Sequence, residues 1–273
     1  MNILFTLDRN YLPPLRVLLF SLLTNNPGER FDLYVAGDGL TEADWATLDA
    51  LCAGFDAQVH PVLVEDSWFE SAPTVRYDSR AMYYRLLAAK MLPEDMDRIL
   101  YLDPDMLVLD SVRALYDTDM GDHLYAACIH KGLVDLSGPV NRIRLSNYDA
   151  EGYFNSGMLL MNLPAIRRDV RPQDIFDYVK KYRQLLVLPD QDVLNALYGE
   201  RILPLDECLY NYDARFFNEY LLASQGERDA AWTMENTVIL HFCGKKKPWN
   251  RAYPGRFGML YKHYMQLTAR RLR

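Results

Sequence analysis

The chain has few cysteines, no long apolar run and no excess of basic charge, and each shortage removes a class of function. Cys52, Cys128, Cys208 and Cys243 are its four cysteines, scattered with no close pair, each in or beside apolar sequence. That spacing speaks against a zinc site and for buried free thiols in a reducing cytoplasm. Val17 to Leu23, the longest greasy stretch, contains Ser21 and is far too short to span a bilayer. No basic leader precedes an apolar run at Asn2-Ile3-Leu4-Phe5, so no signal peptide is expected and the expected location is the cytoplasm. Lys and Arg number 30 against 37 Asp and Glu, a formal charge of −7, which argues against nonspecific nucleic-acid binding. Internal repeats, low-complexity tracts and obvious linkers are also missing. With half of its 273 residues hydrophobic, the chain has the composition of an ordinary globular domain.

What is there alternates between strand and helix. Asn2 to Leu7 is a short apolar run ending at Asp8, which suits a buried strand. Leu12, Leu15, Leu18, Leu19, Leu22 and Leu23 recur at helical spacing, and that helix should stop near Asn25-Asn26-Pro27. Phe31 to Ala36 reads as a strand, Thr41 as the start of a helix running to about Gly54, and Gln58 to Val64 as a third strand. A helix is expected from Arg80 to Lys90, and strands at Arg98 to Leu102, His123 to Ile129 and Phe154 to Asn162. Asp174 to Lys181 and Gln191 to Leu197 read as helices, and Thr237 to Phe242 as a last strand. The pattern implies a mostly parallel sheet covered on both faces. The polar segment from His130 to Glu151 is long for a plain connection, so it is a functional loop or partly helical.

After Glu235 no acidic residue follows, while Lys245, Lys246, Lys247, Arg251, Arg256, Lys262, Arg270, Arg271 and Arg273 do. Such a basic run with interleaved aromatics is compatible with a phosphate-binding or membrane-surface face, and equally with a solvated helix end.

Two segments carry chemistry. In Tyr101-Leu102-Asp103-Pro104-Asp105, residues two apart in extended backbone point the same way, so the two carboxylates can converge. Paired carboxylates attract a hard divalent cation that keeps positions open for water and phosphate. They fall at the carboxyl end of a strand, where ligands gather in open α/β sheets. The second segment is His241-Phe242-Cys243-Gly244-Lys245-Lys246-Lys247-Pro248-Trp249. Here a strand delivers an imidazole, Gly244 allows close backbone approach, and Lys247 offers a point charge for phosphate.

With these segments in hand, the chain resembles the family 8 glycosyltransferases, retaining enzymes with the A-type nucleotide-sugar fold that include bacterial lipopolysaccharide galactosyltransferases and glycogenin. Thr6-Leu7-Asp8-Arg9-Asn10-Tyr11, Tyr101 to Asp105, Phe154-Asn155-Ser156-Gly157, Asp190-Gln191-Asp192 and His241 to Trp249 stand in that family's order. The resemblance implies a single Rossmann-like α/β nucleotide-diphospho-sugar transferase domain over residues 1–249, followed by a basic helical tail over 250–273.

It further implies that Asp103, Asp105 and His241 hold Mn2+, with Mg2+ as a substitute, bridging the diphosphate of a UDP-sugar donor. Asp8 and Asn10, with Tyr11 stacking, would contact the nucleoside. Gly244 and Lys247 would hold the phosphates, and Arg85 would contact the donor. Asn155, Asp190 and Gln191 would surround the transferred sugar, with Gln191 and Asp190 nearest the reacting carbon as the catalytic pair. The acceptor would be a glycan, lipopolysaccharide or other cell-envelope saccharide, carbohydrate or lipid-linked, which gives the basic tail a reason to touch the inner face of a membrane. One position departs from the galactosyltransferase relatives: His130-Lys131 stands where they place an aspartate near the donor sugar. Glucose is therefore expected at least as much as galactose. A nucleotidyltransferase would want a Gly-rich phosphate loop by the first strand, and Thr6 to Tyr11 has no glycine. A non-catalytic sugar-nucleotide or carbohydrate-binding module would not need the whole metal and diphosphate set.

Overall fold

The computed structural model describes residues 1–64, 81–129 and 152–273. Its centre is a seven-stranded sheet of β1 (Asn2–Asp8), β2 (Phe31–Asp38), β3 (Ala57–Pro61), β4 (Arg98–Leu102), β6 (Tyr125–Cys128), β7 (Met158–Asn162) and β8 (Ile202–Leu205). The spatial order is β3-β2-β1-β4-β7-β6-β8. Pairings β1 with β2, β1 with β4, β2 with β3 and β6 with β8 are parallel, whereas β7 runs antiparallel to both β4 and β6. The sheet is thus mostly parallel. Its one reversed strand has a consequence for the site: the residues before β7 start where the parallel strands end.

Alternation along β1 feeds two cores. Leu4 faces a cluster with Tyr101, Tyr125, Leu159 and Phe154, while Ile3, Phe5 and Leu7 face a second with Leu15, Leu18, Leu33 and Leu100. All of these side chains are essentially inaccessible, each worth about 2 kcal/mol of apolar burial. The helix Leu12–Thr24 shows how sequence forces this packing: Pro13 and Pro14 sit in its first turn, where no amide donor is needed, and its leucines turn onto the sheet. Thr41 caps the helix Glu42–Cys52 in a reciprocal box with Asp44.

A small second sheet orders β5 (Met106–Val108), β10 (Ile239–His241) and β9 (Tyr212–Asp213), with β10 antiparallel to β5 and parallel to β9. Its apolar face lies on Leu107, Tyr212, Leu240, Phe242 and Tyr261. Tyr261 belongs to the helix Gly258–Arg271, whose Tyr264 hydroxyl accepts a hydrogen bond from Asn25 Nδ2 at 2.8 Å. Tyr261 is thus spent on the interior of the fold, and Tyr264 and Met265 pack half-buried against the same cluster.

Local differences from the sequence reading have physical causes. The expected helix from Arg80 to Lys90 breaks at Leu87 into Ala81–Leu86 and Ala88–Met91, and Arg80 lies outside the described residues. β3 stops at Pro61, where its pairing with β2 ends at Val35. Phe154 joins the sheet only through an isolated bridge to Ile129, with β7 beginning at Met158. His130, Lys131 and the rest of the segment to Glu151 lie outside the described residues. Among the described residues, no helix is long and apolar enough to cross a membrane.

Candidate active site

Asp103 and Asp105 follow β4, but they converge through a turn rather than through strand alternation: the chain turns at Pro104-Asp105 and enters β5 at Met106. β10 then brings His241 alongside, because His241 pairs with Met106 and the next amide, Phe242 N, donates to Asp105 O at 3.0 Å. His241 Nε2 lies 3.3 Å from Asp105 Oδ1 and 4.0 Å from Asp103 Oδ2. One ligand atom from each of the three side chains falls within 4.8 Å of the others. Two carboxylates and an imidazole suit a divalent ion that accepts oxygen and nitrogen.

The space they enclose is kept open by a missing side chain. A Cβ on Gly157 would lie 2.5 Å from His241 Cε1 and 2.7 Å from Asp103 Oδ2. Gly157 is there because β7 is reversed, and its carbonyl accepts from Asp103 N at 2.8 Å. The donor set and the glycine cradle therefore fit a small cation.

Charges around the cluster are arranged in pairs. Burial raises the Asp103 carboxyl, and neighbouring Asp105 adds to it, against Arg85 and His241. Asp105 is pulled the other way: burial opposes its ionisation, but His241 and Lys247 hold it well below the usual range. Burial likewise works against the His241 imidazolium, and Cys243 and Asp105 outweigh it, lifting His241 well above its ordinary value. Two buried, repelling carboxylates form a site that a dication would relieve.

Lys247 Nζ donates to Asp105 Oδ2 and, at 3.1 Å, to the Phe242 carbonyl. Arg85 bridges Asp103 Oδ1 at 3.0 Å and Asp190 Oδ2 at 3.3 Å, and also donates to Ser156 O at 3.1 Å. Its guanidinium lies 4.6 Å from the centre of the Tyr101 ring. Tyr101 donates to Asp103 Oδ1 and accepts from Thr6 Oγ1 at 3.2 Å.

An amide chain connects Gln191 and Asn155 to the histidine, and two backbone amides fix its direction. Gly157 N donates to Asn155 Oδ1 at 2.9 Å, so Asn155 Nδ2 is the donor that reaches Gln191 Oε1 at 3.1 Å. Ser156 N also donates to Gln191 Oε1, at 3.3 Å. Asn211 Nδ2 donates to Asn155 Oδ1 at 2.9 Å, which leaves Asn211 Oδ1 as an acceptor 2.8 Å from His241 Nδ1. His241 must therefore carry a proton on Nδ1 whatever its charge, so Nε2, which faces the two carboxylates, is the nitrogen that would give up its proton to a bound cation.

Of the residues singled out from sequence, Asp103, Asp105, His241, Lys247, Arg85, Asn155, Asp190 and Gln191 come together. Tyr11 stands close enough to feel Lys247, Asp105 and Asp103, with Trp249 edge-on at 6.0 Å. Asp8 ends β1 and accepts from Asn10 N at 2.8 Å, a strand-end turn beside the same edge. Gly244, at φ +83°, is turned towards Arg215 instead. Thr6, Tyr101, Ser156, Gly157 and Asn211 were missed as participants. Tyr101 had a signal, since it lies two residues before Asp103 on a strand, whereas Asn211 had none.

A sequence description of glycosyl transferase family 8 matches residues 2–252 of this chain. General stress protein A of Bacillus subtilis is 29% identical over 98% of this chain and 94% of its own length. A lipopolysaccharide 1,2-glucosyltransferase of Escherichia coli is 27% identical over 91% of this chain and 73% of its own. The crystal structure of the galactosyltransferase LgtC with donor and acceptor sugar analogues superposes with a TM-score of 0.81 at 28% identity, covering 98% of this chain and 96% of that one.

Proposed function

The chain belongs to glycosyl transferase family 8 and is a glycosyltransferase, and from that premise we propose that it moves glucose or galactose with retention from a UDP-sugar to a glycan of the cell envelope. One observation carries the reading: Asp103, Asp105 and His241 converge within 4.8 Å around the cradle left by Gly157. These three residues would hold Mn2+, which supplies Lewis-acid stabilisation of the departing diphosphate when bound. Lys247, already beside Asp105, would turn its ammonium to the same phosphates. Asp8, Asn10 and Tyr11 line the edge where the nucleoside would lie.

In the reaction, the bond from the anomeric carbon to the phosphate oxygen breaks and its electron pair stays with the diphosphate. An acceptor hydroxyl forms the new bond on the same face and gives its proton to the departing phosphate. A covalent enzyme intermediate is disfavoured by the partners of both candidate nucleophiles. Asp190 Oδ2 is held by Arg85 and by Ser156 Oγ at 3.0 Å. Gln191 Oε1 accepts from Asn155 and Ser156 N, so the amide face left for the sugar is its Nε2 donor. Incubation with UDP-glucose or UDP-galactose and Mn2+ should release UDP, and EDTA should stop it. Release of no UDP from either donor, or release indifferent to EDTA, would overturn the reading. The acceptor glycan is drawn from what the relatives act on, and the α-configured product expected from retention is checked by NMR of the anomeric proton.

A further inference from the structure

A cavity of about 650 Å3 is lined in part by the segment that follows His241, Cys243 to Lys246. Gly244 belongs to its wall, but none of Asp103, Asp105, His241, Lys247, Arg85, Asn155 or Gln191 does. It is thus separate from the metal cluster while touching the same strand end, since β9 and β10 place Asp213 beside His241 and Arg215 follows two residues later.

Its lining is charged in one sense only. Arg215, Lys245, Lys246 and Arg256 face it, and no acidic residue lines it among the described residues, on a chain whose net charge is −7. Two of the four cations are held in place. Arg215 is clamped by buried Asp213, with Nη2 2.6 Å from Oδ2 and Nε 3.0 Å from Oδ1. Arg256 lies flat over the Phe217 ring, its guanidinium carbon 4.1 Å from the ring centre. Tyr253 gives the cavity an aromatic wall, against which the C–H face of a sugar can rest, while the Phe217 ring carries the Arg256 guanidinium. Among the described residues only Arg215 of the four is paired with a carboxylate, so the cavity carries an excess of positive charge that an anion would balance. Arginine forks are suited to phosphate and carboxylate oxygens.

We propose that this cavity is a subsite for an anionic saccharide, one bearing a phosphate or carboxylate group, which it holds beside the reaction centre as part of the acceptor. The assignment to the acceptor rests on the glycosyltransfer reading above; the binding of an anionic sugar does not. The separation from the metal cluster keeps this anion distinct from the donor diphosphate. The Tyr253 wall and the two anchored arginines distinguish the subsite from a patch of surface lysines, which would bind any phosphate equally.

The test is calorimetry on the full chain with UDP and Mn2+ at saturation, titrating glucose 6-phosphate, glucuronate and glucose. Saturable binding of at least one anionic sugar is expected, about tenfold or more tighter than glucose, and weakened about tenfold in Arg256→Glu and in Lys246→Glu. Thermal melts check the fold of each variant, and Arg256→Gln serves if the reversal proves unstable. Preference for glucose 6-phosphate over glucuronate would assign a phosphorylated saccharide, and the reverse order an acidic sugar. Equal affinity for glucose and both anions, or variants that bind the anions as wild type does, would overturn the proposal. UDP binding is read separately in the first titration. Its failure would count against the donor reading alone, and the difference between wild type and Arg256→Glu would still decide the cavity.

Discussion

His241 Nδ1 lies 2.8 Å from Asn211 Oδ1, and that single contact decides which ring nitrogen faces the carboxylates. Asn211 is fully buried, and its other amide atom is committed to Asn155. Groups that orient a metal-binding histidine typically matter about 10- to 100-fold in metal affinity. Asn211→Leu should therefore weaken Mn2+ by about that factor, read by titration of Mn2+ in the presence of UDP. Asn211→Asp, which keeps the acceptor oxygen, should recover part of the loss. Identical affinity in Asn211→Leu would mean that His241 needs no orientation or is not a ligand.

Gly157→Ala is expected to be out of proportion to its size. The added methyl would meet His241 Cε1 and Asp103 Oδ2 well inside contact distance, and Asn155 Oδ1 at 3.0 Å. Buried overpacking of this kind costs about 1–3 kcal/mol. Metal-dependent UDP release should fall more than thermal stability does, because the displaced atoms belong to the proposed metal ligands. A variant that melts early but retains full activity would place the cradle elsewhere.

The C-terminal helix is expected to act through packing. Tyr261 is inaccessible, with Phe242 5.2 Å and Trp249 5.8 Å from its ring centre. Tyr261→Ala should cost about 3 kcal/mol or more in chemical denaturation, and should loosen the segment that carries Lys247. For attachment to anionic vesicles, replacing Lys262, Arg270, Arg271 and Arg273 by Gln is the informative change. It leaves Tyr261 and Tyr264 in place, and unchanged sedimentation at low salt would leave a solvated helix end.

Donor choice is proposed to depend on His130 and Lys131, which lie outside the described residues. Where relatives place a carboxylate, this chain has groups that mainly donate hydrogen bonds, and mispaired buried hydroxyls cost about 1–3 kcal/mol each. UDP-glucose should be used at least as well as UDP-galactose, and His130→Asp should shift the ratio of initial UDP-release rates towards galactose. A strong galactose preference in the wild type would contradict this.

The sheet was legible because it rests on signals that are local in sequence, whereas the grouping of Asp103, Asp105 and His241 came from the family resemblance. The apolar runs that became β1 and β4 are each followed by residues beside the site, and the cap at Thr41 formed as its pattern implies. What was hidden depends on pairing between distant segments. β5 and β9, with three and two residues, are strands only because β10 lies between them, and no periodicity shows in so short a stretch. Asn211 became a partner of His241 through that pairing. Lys247 was read as a free point charge, yet its ammonium rests on Asp105, a contact across 142 positions. The basic run after Glu235 divided likewise: Lys245, Lys246 and Arg256 line a cavity, while the helix beyond covers a core.

In the proposed reaction, Asp103, Asp105 and His241 hold a divalent ion on which donor binding depends. Isothermal titration of UDP into the protein, with and without Mn2+, tests it most directly when wild type is compared with Asp105→Asn. The account predicts UDP binding that requires Mn2+ in the wild type and is lost in the variant, with the variant's melting temperature showing an intact fold. Unchanged Mn2+-dependent UDP affinity in Asp105→Asn would contradict it.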